Sequence, residues 1–123
     1  MIYKNCIKSK DSMNVPLFLS GKPMHSKYRP LAEAQVFADS VKAESGNTFF
    51  IVTGLGAGYH ICALRKKFPD SFILCIEADK ESLDFCLKLE EVEVLKEDKK
   101  IEFTILPNLF DSITALYLPQ LYT

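Results

Sequence analysis

The chain predicts an α/β domain, and three observations carry that prediction. An apolar run, Phe49-Phe50-Ile51-Val52, stops at a glycine turn, Gly54-Leu55-Gly56-Ala57-Gly58, and a helical pattern follows at once from Tyr59. A second apolar run, Phe72-Ile73-Leu74-Cys75-Ile76, ends in Glu77, nineteen residues after Gly58. A third segment, Ile101–Ile105, alternates like a strand. Strand, turn, helix and strand in this order form a βαβ unit with a right-handed crossover. The expected architecture is a Rossmann-like, three-layer domain with a short, mainly parallel sheet, preceded by an N-terminal β-hairpin arm.

Each element has a local justification. Residues 1–28, broken by Asp11-Ser12, Asn14, Pro16 and Ser20-Gly21-Lys22-Pro23, read as short strands joined by turns. Pro16 restricts the Val15–Leu19 run to an edge strand, because proline cannot donate to a central ladder. The α/β unit occupies 29–123. Arg29-Pro30 opens a helix with proline in its first turn, Leu31, Ala34, Phe37, Ala38 and Val41 recur at helical spacing, and Ser45-Gly46-Asn47 ends it. The helix after the glycine turn turns Ile61, Leu64 and Phe68 inward and stops at Pro69-Asp70. Asp79 is placed to cap the next helix, which carries Leu83, Cys86, Leu87 and Glu90 in register. A charged stretch, residues 90–100, continues or follows it, and a last helix is expected from Asn108 through Leu118.

Composition narrows the function classes. With 123 residues, 48% apolar and 25% charged, the chain has material for one core but is short for a complete Rossmann-type enzyme, which needs roughly 200 residues. A net charge of −1 argues against a nucleic-acid partner. Lys4, Lys8, Lys10, Lys22, Lys27 and Arg29 concentrate in the first 30 residues, as expected of a solvated, lysine-protected edge. Cys6, Cys62, Cys75 and Cys86 have no metal-site spacing and read as reduced core thiols, so no metal is expected. With no apolar stretch of membrane-spanning length, no membrane partner is expected, and the expected location is cytoplasmic. The apolar, aromatic ending, Leu116 to Tyr122, suggests a surface that pairs with a second copy, as a homodimer, or docks on further domains.

The glycine turn is the candidate binding element. Alternate glycines allow positive φ and close backbone approach, and the following helix N-terminus favours an anion. The candidate cofactor contacts are Gly54, Gly56, Gly58, Tyr59, His60 and Glu77. Tyr59 either stacks on a base or packs over the strand, and His60 either donates to a phosphate or meets water. Glu77 either takes ribose hydroxyls or caps the next turn. Because Tyr59 stands where a dinucleotide fingerprint needs its last glycine, the GxGxG spacing resembles motif I of S-adenosylmethionine methyltransferases instead. Val52 stands where those enzymes place an acid. A nucleotide-sugar, an S-adenosylmethionine-like molecule and no ligand at all remain open. No nucleophile with a paired base is present, so catalytic residues stay unassigned.

A second motif lies upstream. Met24-His25-Ser26-Lys27-Tyr28-Arg29-Pro30-Leu31-Ala32-Glu33-Ala34, followed by Gly54-Leu55-Gly56-Ala57-Gly58-Tyr59-His60 and Ile76-Glu77-Ala78-Asp79, resembles the N-terminal region of motility-associated factor glycosyltransferases over about residues 20–85. The resemblance implies a part in attaching nonulosonic acids to flagellin, with transfer performed by a domain that has no counterpart in these residues. It implies flagellin, or the remaining domains of a longer chain, as partners. His25, Ser26, Lys27 and Tyr28 then form either a mouth to the ligand, with Lys27 and Arg29 supplying positive charge, or a structural clamp between arm and helix. A truncated methyltransferase-like domain and a non-catalytic interaction module are the alternatives.

Overall fold

A computed structural model describes residues 1–43 and 48–108. The arm is a two-stranded antiparallel hairpin, β1 (Tyr3–Lys8) and β2 (Asn14–Phe18), with Pro16 opposite Cys6. After β2 the chain reverses at Gly21, whose φ is 90°, and bridges back along β2 at Leu17 and Pro23. The Met24 N–H then donates to Pro16 O at 2.8 Å, so the next two side chains are delivered to a fixed place. Helix α1 (Pro30–Ser40) follows, then β3 (Phe49–Thr53), α2 (Tyr59–Lys67), β4 (Phe72–Glu77) and α3 (Lys80–Leu87). A 3₁₀ turn (Glu90–Val92), a short α4 (Glu93–Lys96), β5 (Ile101–Ile105) and a second 3₁₀ turn (Leu106–Asn108) complete the described chain. The sheet order is β3-β4-β5, all parallel. An α/β domain with a three-stranded parallel sheet and a separate antiparallel hairpin is compatible with a Rossmann-like fold.

The arm and the α/β unit share one core. Tyr3 of β1 is buried with Leu55, Ile61, Leu64, Ile73, Cys75 and Ile101. Val52 packs against the same cluster, so its position is apolar for a structural reason. Asp79 caps α3 as expected, accepting from Ser82 N at 2.8 Å, and it also pairs with the Met1 amine at 2.5 Å. The four cysteines are free thiols; burial raises the pKa of each, for Cys75 to about 12.

Several expectations are corrected. Helix α1 ends at Ser40, within the expected bound, with Val41 extended as its C-cap, and the Lys67 ammonium donates to Ala38 O at 2.9 Å and Val41 O at 2.6 Å around that end. Its buried stripe is Pro30, Ala34 and Ala38, while Leu31 and Phe37 are exposed; small residues let α1 lie close on α2. Helix α3 ends at Leu87, leaving Glu90 in the 3₁₀ turn. Asn108, where a last helix is expected to begin, closes the second 3₁₀ turn, and the rest of that helix and the apolar ending lie outside the described residues.

Candidate functional site

The turn between β3 and α2 has Gly54, Gly56 and Gly58 at φ 85°, 54° and 78°, the left-handed region where side chains are strained. Every N–H from Gly54 to Gly58 already has an acceptor inside the protein. Gly54 N donates to Ile76 O at 2.7 Å and Gly58 N to Leu55 O at 2.8 Å. Leu55 N and Gly56 N converge on Glu77 Oε1, at 2.7 and 3.3 Å. Ala57 N donates to His25 Nε2 at 3.0 Å.

The faces bared by the glycines are also filled. A Cβ on Gly56 would lie 2.5 Å from His25 Nε2 and 2.7 Å from Met24 Cγ; one on Gly54 would lie 2.9 Å from Met24 Cε, and one on Gly58 2.6 Å from Leu95 Cδ1. The arm therefore occupies the approach that the turn would offer a phosphate. Close approach is what the glycines serve, but the approaching group belongs to the chain itself.

Glu77 is the centre of this junction. It is 2% exposed, and Oε1 also accepts from the Tyr3 hydroxyl at 2.6 Å, with the Cys86 thiol at 3.5 Å. A carboxylate that gathers backbone N–H groups does internally what a bound anion would do there. Glu77 thus spends Oε1 inside the protein, while Oε2 accepts from Ala78 N at 3.3 Å, at the start of the following turn. Tyr3 is sandwiched between Phe18 and Phe85, and burial, reinforced by Glu77, raises its phenol pKa far above the ordinary value, keeping the proton on the donor.

The other candidate residues are placed as follows. Tyr59 is buried, donates to Asn14 O at 2.5 Å and meets the His25 ring edge-on at 4.9 Å, so it packs rather than presenting a stacking face. His60 Nε2 lies 2.7 Å from Gly54 O. A carbonyl only accepts, so that nitrogen carries the proton and Nδ1 is bare; Nδ1 is buried with no partner among the described residues. Ser26 Oγ accepts from Tyr28 N at 3.2 Å and Arg29 N at 3.1 Å, while Glu33 Oε1 reaches back to Ser26 N at 2.9 Å. This reciprocal clamp starts α1. Lys27 and Tyr28 are exposed, with the Lys27 ammonium 5.5 Å above the Tyr28 ring. Tyr28 and Arg29 border a depression with Lys10 and Asp11, away from the glycine turn. The arm does fold back to the turn, but it brings His25 and Met24 there instead of Lys27 and Arg29.

Beside the junction, at the C-terminal end of β3, lies a cavity of about 320 Å³ lined by Met24, His25, Glu33, Ala34, Phe37, Thr53 and His60. Parallel sheets take ligands at this end of their strands. Of its polar residues, Glu33 belongs to the upstream motif, eight residues after His25, and Thr53 directly precedes the first glycine. Among the described residues no cluster suits a metal ion, and no helix is long and apolar enough to cross a membrane. Neither a family model nor a curated protein matches the chain.

The two histidines make the junction acid-sensitive. Burial lowers the His25 pKa to about 3, helped by nearby His60, and burial lowers that of His60 as well. The unfolded chain takes up protons near pH 6.5 while folded His25 refuses one until about pH 3. Stability is therefore full above the unfolded value and falls as the pH drops through that window, by about 1.4 kcal/mol per unit for each fully shifted histidine. The check is the imidazole ¹⁵N spectrum at pH 5, where His25 is expected to remain neutral in the folded protein, with urea midpoints falling from pH 7 to pH 5.

Proposed function

We propose that the chain is a non-catalytic, Rossmann-like accessory domain of a flagellin-modifying glycosyltransferase of the motility-associated factor type, with its glycine turn serving as an internal junction. One observation carries the reading: the residues of the resemblance form a single connected network. His25 bonds the turn, Ser26 and Glu33 clamp the start of α1, Ala34 packs with Ala57 and Tyr59, His60 holds Gly54 O, and Glu77 gathers the N–H groups of the turn. A signature spent on internal contacts marks an architecture, and its partners are then the remaining domains of a longer chain or flagellin. The engaged Glu77 and apolar Val52 weigh against the methyltransferase alternative.

Calorimetric titration with CMP, a CMP-nonulosonate, S-adenosylmethionine and NAD tests the closed turn. No heat is expected from any of them at millimolar concentration. Saturable binding of one, abolished by Gly56→Ala in a variant that stays folded, would overturn the internal role. The pathway is tested separately by the genomic reading frame: a frame continuing beyond Thr123 into a transferase domain is expected.

A further inference from the structure

We infer that the cavity between the arm, α1 and the end of β3 binds an uncharged pyranose sugar, held by Glu33, Thr53 and His25 against the ring of Phe37. The cavity is separate from the N–H groups of the turn, so the inference stands whether or not the pathway assignment does. At about 320 Å³ it lies at the small end of ligand pockets. Its lining divides into an apolar wall, Met24, Ala34 and Phe37, and a polar one, His25, Glu33, Thr53 and His60. Phe37 is 37% exposed and meets the His60 ring edge-on at 5.9 Å.

The hydrogen-bonding capacity left over defines the ligand. Glu33 spends Oε1 on Ser26 N, and its Oε2 has no hydrogen bond among the described residues, so it can accept from sugar hydroxyls. His25 accepts at Nε2 from Ala57 N, which puts its proton on Nδ1 and leaves that N–H as a donor. Thr53 adds a hydroxyl that donates or accepts. One donor, several acceptors and an aromatic wall suit a ring carrying neighbouring hydroxyls. Anionic ligands are disfavoured because no lysine or arginine lines the cavity, both imidazoles are neutral and Glu33 brings a negative charge. A cationic amine would satisfy Glu33 but would set donor against donor at His25.

The test is NMR titration of the full chain with methyl glucoside, methyl galactoside, glucuronate and glucosamine. The two neutral glycosides are expected to shift the amides of Phe37, Thr53 and His25 with a dissociation constant of about 1–10 mM. Phe37→Ala should abolish these shifts, and Glu33→Gln, which keeps an acceptor for Ser26 N, should weaken binding about tenfold. Both variants are first checked for a wild-type-like amide spectrum elsewhere. The inference fails if neither neutral glycoside binds at about 50 mM, if glucuronate or glucosamine binds more tightly, or if affinity survives both substitutions.

Discussion

Gly56→Ala is expected to lose on the order of 2–5 kcal/mol of stability, a large fraction of what an ordinary domain possesses. Two costs combine. A φ of 54° is unfavourable for any residue with a Cβ, by about 1–2 kcal/mol. The new methyl would also sit 2.5 Å from His25 Nε2, 3.1 Å from His25 Cε1 and 2.7 Å from Met24 Cγ, and overpacking of this kind costs about 1–3 kcal/mol. His25 cannot simply swing away, because Ala57 N holds its Nε2 and Tyr59 meets its ring. Gly54→Ala provides the control: its φ of 85° is equally unsuitable, but the clash is with the flexible tip of Met24 alone, so it should cost less. Urea denaturation of the variants, alone and in a His25→Ala background, separates the terms. Removing the imidazole should recover about half of the Gly56→Ala cost. An equal cost in both backgrounds would mean that the arm does not pack on the turn as described.

This dependence also explains what sequence could and could not reveal. The strands β3, β4 and β5 were legible because each is a short apolar or alternating run with turn residues beside it, and the α3 cap because Asp79 acts on Ser82, three residues away. The buried stripe of α1 was not legible. Leu31 and Phe37 look more hydrophobic than Ala34 and Ala38, yet close packing on α2 selected the small residues. The glycine turn was legible as a place of close approach, while the identity of the approaching group was not. His25 lies 32 residues from Ala57, and Tyr3 lies 74 residues from Glu77, so no local pattern encodes either contact. Glu77 stands out in the sequence as a carboxylate at a strand end beside a glycine turn. The missing fact was Tyr3, which together with Leu55 and Gly56 turns that carboxylate inward.

Glu77→Ala is the second large effect, and it separates the two roles for that carboxylate most sharply. If Glu77 were held ready for a ribose, its removal would weaken a ligand and leave the fold nearly unchanged. As the shared acceptor of the Tyr3 hydroxyl, Leu55 N and Gly56 N in a site 2% exposed, its loss strands these three buried donors at once, together with the weaker Cys86 thiol. The expected cost is about 3–5 kcal/mol, because each buried donor left without an acceptor costs roughly 1–3 kcal/mol and the surroundings relax around some of them. Glu77→Gln retains an oxygen for the turn but offers an amide where a carboxylate accepted, and should fall between Ala and wild type. Tyr3→Phe deletes one donor without leaving it stranded and should cost about 1–2 kcal/mol, with a marked shortfall from additivity in the Tyr3→Phe, Glu77→Ala double variant. The vacated N–H groups in Glu77→Ala should also become an anion site, so that acetate or phosphate raises its melting temperature more than that of the wild type. A Glu77→Ala protein within about 1 kcal/mol of wild type, indifferent to added anions, would return the carboxylate to the role of a ligand contact.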